Sequence, residues 1–113
     1  MGRIFCDGSG WNGESSKFGI ITEGGRQASF TFQGKLTSNV MEYCAVIFAG
    51  IIANEGDEIL TDSQLAVNQI NGLWKVKEKH LFPLRYAAHI LLTGRNLTLK
   101  WIPRRENKAD KIV

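Results

Sequence analysis

The sequence predicts a mixed α/β domain, one five-stranded sheet with helices packed against it. Three observations carry that expectation. The first three strand-like segments follow one another through short loops, as antiparallel hairpins do. The later strand-like segments are separated by helical stretches, as crossovers between parallel strands are. The length of 113 residues, with 43% apolar and 22% charged side chains, matches one ordinary globular unit. Residues 1–113 are therefore read as a single domain.

The first strand is Arg3-Ile4-Phe5-Cys6, which carries Asp7 at its end and then breaks into Gly8, Ser9 and Gly10. An acid directly after an apolar strand core is costly unless something positive meets it. The small residues leave room for another molecule's backbone to come close. Trp11 to Ser16 is a loop by composition. Lys17 to Thr22 makes a second strand, Glu23-Gly24-Gly25-Arg26 a hairpin connection, and Gln27 to Gln33 a third strand. There Ala28, Phe30 and Phe32 alternate with Ser29, Thr31 and Gln33, so one face is expected to be wet.

Gly34 to Ser38 leads into a helix from about Asn39 to Ala53. It is apolar nearly all round, which marks a central, buried element, and its only charge is Glu42 in the first turn. Asn54 to Asp57 closes that helix, and Glu58 to Thr61 forms a short strand ending on Asp62. Ser63 is placed to cap the next helix, which runs from Gln64 to Ile70 and stops at Asn71-Gly72. Leu73 to Leu81 is a basic connector containing Trp74. Pro83 can begin a helix that carries Leu84, Ala87, Ala88, Leu91 and Leu92 as far as Gly94. Leu97 to Ile102 is a fifth strand, Pro103 to Asn107 a turn, and the last six residues the opening of a short C-terminal helix.

The longest apolar run, Val46 to Ala53, is too short to span a bilayer, so no membrane partner is expected. Cys6 and Cys44 lie in apolar stretches without metal-ligand spacing and read as reduced core thiols. With no basic-then-apolar opening segment, the expected location is cytoplasmic. The net charge of +3 is mild. Its distribution says more, because Lys75, Lys77 and Lys79 form one basic cluster and Arg104, Arg105, Lys108 and Lys111 another. Such runs are usually a solvated surface, but beside acids they would also suit a polyanion held together with a cation.

Four acids stand out. Asp7 and Asp62 end two strands, Glu42 lies one turn into the apolar helix, and Asp110 is in the terminal stub. A crossover helix would lay strands one and four side by side, bringing Asp7 and Asp62 together, with Glu42 and Asp110 approaching from helices. Each acid alone has a plain reading: a turn, a helix-dipole partner, the residue before a cap, a surface charge. Together they cannot all stay ionised without cations. Hard oxygen ligands favour Mg²⁺ or Mn²⁺, and two such ions can drive phosphodiester hydrolysis.

Asp7-Gly8-Ser9, the run from Thr37 to Tyr43, Thr61-Asp62-Ser63-Gln64 and Asn107-Lys108-Ala109-Asp110 resemble the four blocks of type 1 ribonuclease H. The likeness covers essentially the whole chain. Asp62-Ser63-Gln64-Leu65, the run from Asn71 to Lys77 and Ile102-Pro103-Arg104 look most like the family's compact bacterial and archaeal branch. The resemblance implies the ribonuclease H fold, with strand order 3-2-1-4-5, and cleavage of the RNA strand of an RNA/DNA hybrid to 3′-hydroxyl and 5′-phosphate ends. It implies two Mg²⁺ or Mn²⁺ ions held by Asp7, Glu42, Asp62 and Asp110 as the catalytic acids. Gly8, Ser9, Glu42 and Gln64 would meet the RNA strand. Thr37, Ser38 and Asn39 would meet the DNA strand, and Trp74, Lys75 and Lys77 fall where the family places its DNA-side channel.

The chain departs from larger members in having only Leu73 to Leu81 where they insert a basic protrusion. Many members hold a histidine just before the last acid; here Pro103-Arg104-Arg105-Glu106 stands there, and Arg104, with Arg105 next, takes that auxiliary place by resemblance. The interval from Asn107 to Asp110 is one residue shorter than the compact branch commonly has, and one residue turns a helix by about 100°. From sequence alone two rival readings stand beside the nuclease. One is a module that grips hybrids with little or no cutting, and the other is a nuclease of the same fold acting on DNA. Oligomeric state is left open, a monomer included.

Overall fold

The computed structural model describes residues 2–113. Five strands, β1 (Arg3–Ser9), β2 (Ser16–Thr22), β3 (Gln27–Phe32), β4 (Glu58–Thr61) and β5 (Thr98–Trp101), alternate with three helices, α1 (Ser38–Ile52), α2 (Gln64–Ile70) and α3 (Phe82–Gly94). Short 3₁₀ turns cover Lys79–Leu81, Arg104–Glu106 and Lys108–Ile112. The strands form one sheet in the order β3-β2-β1-β4-β5. β1/β2 and β2/β3 are antiparallel, while β1/β4 and β4/β5 are parallel. This is the mixed sheet and the strand order expected from the sequence.

Side chains alternate across β1 and β4. Ile4, Cys6 and Ile59 face the larger core, built with Met41, Tyr43, Val46 and Ala49 of α1 and with Ile70, Ala88 and Leu92 of the other helices. Phe5 and Leu60 face the other way and are covered by Ala109 of the C-terminal turn. That turn is 3₁₀ rather than the α-helical opening expected, and Ile112 rests against Gly19 of β2. Among the described residues, no helix is long and apolar enough to cross a membrane.

Three expectations need correcting. Asp7 does not end its strand. β2 keeps pairing with Asp7, Gly8 and Ser9 after β4 has stopped pairing at Phe5, so Asp7 sits where the sheet opens on one side only. The room at the glycines is not left for another molecule either. A Cβ on Gly8 would stand 2.3 Å from the Met41 carbonyl carbon, and one on Gly10 2.7 Å from the Ser38 nitrogen. The chain's own helix α1 occupies that space. Finally, α1 is buried on the sides facing the sheet and α3, but its last turn carries Ile51 and Ile52 into solvent.

The edge strand β3 is also wetter than its alternation predicts. Phe30 and Phe32 are about 40% exposed: on this edge strand their rings stack on Phe18 of β2 and, for Phe30, pack edge-on against Phe48 of α1, with no strand beyond among the described residues. Of the two free cysteines, Cys6 is fully buried and Cys44 half-buried. Both ends of α1 are fastened by side chains. The Thr37 hydroxyl accepts from the Val40 N–H at the start, and the Arg95 guanidinium donates to the carbonyls of Gly50, Ile51 and Ala53 at the end.

The two kinds of glycine separate cleanly in urea unfolding. Gly8→Ala forces β1 from α1 and is expected to cost about 3 kcal/mol. Gly94→Ala, at a helix end with open space around it, is expected to be neutral or to gain about 0.5 kcal/mol.

Candidate active site

Asp7, Glu42 and Asp62 each offer a carboxylate oxygen, and these atoms lie within 4.8 Å of one another. Three elements bring them together. Asp7 comes from the unpaired side of β1 and Asp62 from the residue after β4; Glu42 comes from the second turn of α1, not the first turn expected, because the helix already starts at Ser38. Gly8 ties the first two, since its N–H donates to Asp7 Oδ1 at 2.9 Å and also to Glu42 Oε1. Asp62 is held from the other side, where Asn107 Nδ2 donates to its Oδ2 at 3.1 Å and to the Cys6 carbonyl at 2.9 Å. Trp101 Nε1 donates to the Asp62 carbonyl at 3.1 Å. The Ser63 hydroxyl caps α2 at Ala66 as expected, which fixes the chain direction just past Asp62.

The electrostatics are those of an uncompensated acidic group. Burial, with Asp62 as the next cause, pushes Asp7 up to about 6. Burial and the Asp7 charge push Glu42 up to about 9. Burial also raises Asp62, against the Asn107 hydrogen bond. Two like charges at such a separation repel by roughly 3.5 kcal/mol at an effective dielectric of about 20. A domain of this size has about 5–15 kcal/mol of stability in all, so the acids hold protons or a cation. Three carboxylates with no nitrogen or sulfur donor among them fit a hard divalent ion such as Mg²⁺ or Mn²⁺.

Asp110 lies beside the three but outside their group. It lies close enough to Asp7 to raise that group further, but its Oδ1 accepts from Arg104 Nε at 3.1 Å. The short interval folds as a 3₁₀ turn, closed by the Asp110 N–H on the Asn107 carbonyl at 3.0 Å. Asn107 is the residue that sequence reasoning passed over. An asparagine ahead of a helical turn signals a cap, and its Oδ1 does accept from the Ala109 N–H at 3.1 Å. Nothing in the sequence marks the two bonds from its buried amide nitrogen.

The residues expected to touch substrate flank this group. Ser9 continues β1 and is half-buried, Asn39 is half-buried in the first turn of α1, and Gln64 is the exposed first residue of α2. Thr37 and Ser38 are exposed at the start of α1, and the Thr37 hydroxyl is engaged as the cap. Trp74 is half-exposed and Lys75 and Lys77 exposed, on the connector after α2. Arg104 and Arg105 are exposed beside Asp110. A cavity of about 760 Å³ lies at the opposite end of β1, lined by Gly2, Arg3, Glu23 and Asp57 among others, and includes none of these residues.

The family model described as RNase H matches residues 2–105. Among curated relatives, the bifunctional protein Rv2228c of Mycobacterium tuberculosis is 36% identical over 91 residues, 71% of this chain and 24% of that protein. The chain thus spans about a quarter of the length of the curated relatives it matches. Among solved structures, the N-terminal RNase H domain of Rv2228c, studied as a fusion with maltose binding protein, has a TM-score of 0.84 at 27% identity, covering 99% of this chain and 89% of that one. LC11-RNase H1 in complex with an RNA/DNA hybrid has a TM-score of 0.81 at 30% identity, covering 100% of this chain and 94% of that one.

The acidic group sets a pH dependence for the metal-free protein. Raised carboxylate pKa values mean that the folded chain binds these protons more tightly than the unfolded chain. The stability they contribute is complete below the ordinary Glu value of 4.5 and is lost as pH rises through about 9. In chelator, the melting temperature is expected to fall between pH 5 and pH 9. Glu42→Gln, which keeps an oxygen acceptor for Gly8, should remove most of that fall in differential scanning fluorimetry.

Proposed function

Because the chain belongs to the RNase H family, as a type 1 member, we propose that it is a divalent-metal-dependent endonuclease that hydrolyses the RNA strand of RNA/DNA hybrids. The products are 3′-hydroxyl and 5′-phosphate ends, and the 113 residues act as one such domain, working in the cytoplasm. One observation carries the reading: Asp7, Glu42 and Asp62 converge from three elements into a single oxygen-donor group where β4 stops pairing with β1.

Asp7, Glu42 and Asp62 are the residues that would hold Mg²⁺ or Mn²⁺, with Asp110 completing the set. Bound there, two such ions would supply an activated water and stabilise the leaving oxygen. The protein's own part is to hold and orient. Gly8 fixes Asp7 and Glu42 relative to each other, and Asn107 fixes Asp62. The exposed Gln64 and the main chain around Gly8 and Ser9 suit the 2′-hydroxyl edge of an RNA strand, which is how a protein tells RNA from DNA. Thr37, Ser38 and Asn39 on one side, and Trp74, Lys75 and Lys77 on another, suit a deoxyribose–phosphate backbone. Arg104 and Arg105 serve as auxiliary cations beside Asp110.

The Arg104–Asp110 pair favours a second reading, a hybrid-binding domain that cuts slowly because its fourth acid is engaged elsewhere. Labelled RNA/DNA, DNA/DNA and RNA/RNA duplexes, incubated with Mg²⁺, Mn²⁺ or chelator, separate the readings. Metal-dependent cleavage confined to the RNA of the hybrid is expected. A metal-independent gel shift without products would select the second reading, and cleavage of DNA/DNA would overturn both.

Two substitutions grade the acids. Asp7→Asn is expected to lower hybrid cleavage by about 10³-fold or more, equivalent to about 4 kcal/mol of transition-state stabilisation, with the circular dichroism spectrum unchanged. Asp110→Asn should lower it by a smaller factor in the same assay, because Asp110 is half-exposed and outside the three-acid group.

A further inference from the structure

The connector that carries Trp74, Lys75 and Lys77 has no strand or helix of its own between Asn71 and Glu78, yet it is not loose. The N–H groups of Leu73 and Trp74 both donate to the Asn68 carbonyl, at 2.8 and 3.0 Å. A third bond comes from a side chain, as Gln69 Nε2 donates to the Lys75 carbonyl at 3.2 Å. Gln69 is buried, and only one orientation of its amide serves. The Tyr43 hydroxyl sets that orientation by donating to Gln69 Oε1 at 2.7 Å.

Tyr43 is fully buried on α1, directly after Glu42. The hydrogen-bonded line Tyr43–Gln69–Lys75 therefore joins the helix that carries a candidate metal ligand to the main chain beneath the basic, aromatic connector. A core chosen for stability alone has no need of this line, because an apolar pair of similar volume is commonly as stable as a buried polar one. Its far end is not in the core but at a surface cleft of about 450 Å³, lined by Leu65, Gln69, Trp74, Lys75 and Lys77 among others.

We propose that Tyr43 and Gln69 are positioning residues for the nucleic acid. Through the Lys75 carbonyl they hold Trp74, Lys75 and Lys77 at a fixed height and angle relative to Glu42, so that one duplex meets both at once. The inference rests on the hybrid-nuclease reading. It predicts an effect on substrate affinity rather than on the chemical step, since the side chains of Tyr43 and Gln69 bond to each other and to the Lys75 carbonyl, not to the acids' oxygens.

The test is steady-state cleavage of a labelled hybrid by Tyr43→Phe and Gln69→Met. Tyr43→Phe removes one hydroxyl, and Gln69→Met removes the donor to Lys75 at similar volume without adding a charge or a carboxyl proton. Each is expected to raise KM by about 5- to 10-fold, the loss of one buried hydrogen bond, with kcat within about 2-fold of wild type. In a Trp74→Ala/Lys75→Ala/Lys77→Ala background, Tyr43→Phe should have no further effect on KM. Hydrogen exchange of the Leu73 and Trp74 amides should quicken while that of the β1 amides stays unchanged. An unchanged KM, a fall in kcat instead, or an equal effect in the triple background would overturn the proposal. If Tyr43→Phe fails to fold, Gln69→Met gives the same readout. A wild-type protein that neither binds nor cuts hybrid would overturn the functional reading itself, which separates the two failures.

Discussion

The contact between strand β1 and helix α1 at Gly8 is the constraint on which the rest depends. With no side chain at that position, the two backbones come closer than any other residue allows. One N–H then serves carboxylates from both elements. Move the helix outward by the width of a methyl group and Glu42 leaves Asp7. The antiparallel pairing with β2, which carries β1 past its parallel neighbour, is what keeps that N–H fixed.

Around this contact the fold works as a frame with two layers of support. On one face, α1, α2 and α3 bury the larger core. On the other, the C-terminal 3₁₀ turn covers Phe5 and Leu60 with Ala109. Asn107 stands between the layers and bonds both to the Cys6 carbonyl of β1 and to Asp62 after β4. A hydrogen bond to a charged partner is worth about 1.5–3 kcal/mol. That is less than the roughly 3.5 kcal/mol by which one pair of these charges repels, so the asparagine orients Asp62 against β1 while a proton or a cation relieves the repulsion.

Much of this was legible in the sequence. Hairpin-linked strands followed by helical crossovers specified the mixed sheet, the family resemblance implied its order, and Ser63 and Asn71-Gly72 marked both ends of α2. Asp7, Glu42 and Asp62 could be grouped because each stood in apolar surroundings that a lone acid does not tolerate. What failed to show was long-range geometry. Gly8 and Gly10 read as space for a stranger, since sequence cannot say that α1 itself returns to fill it. Asp7 read as a strand end because its remaining partner, Gly19, is an unremarkable residue in another strand. Asn107 read as the end of a turn, since the partners of its amide lie 45 and 101 positions away. The one-residue shortening before Asp110 was visible, but its pairing with Arg104 depends on the 3₁₀ winding that the shortening produces.

The outer edge of β3 has a consequence of a different kind. That strand is hydrogen-bonded to β2 alone, so half of its peptide groups face outward, beside two phenylalanine rings only partly covered. Such a border is a ready template for strand addition, and natural proteins usually blunt it with charge, proline or a bulge. Here the six residues from Gln27 to Phe32 contain no charged side chain and no proline. Crowding or partial unfolding would therefore promote self-assembly from this rim, two strands removed from Asp7, before it disturbed the acidic group.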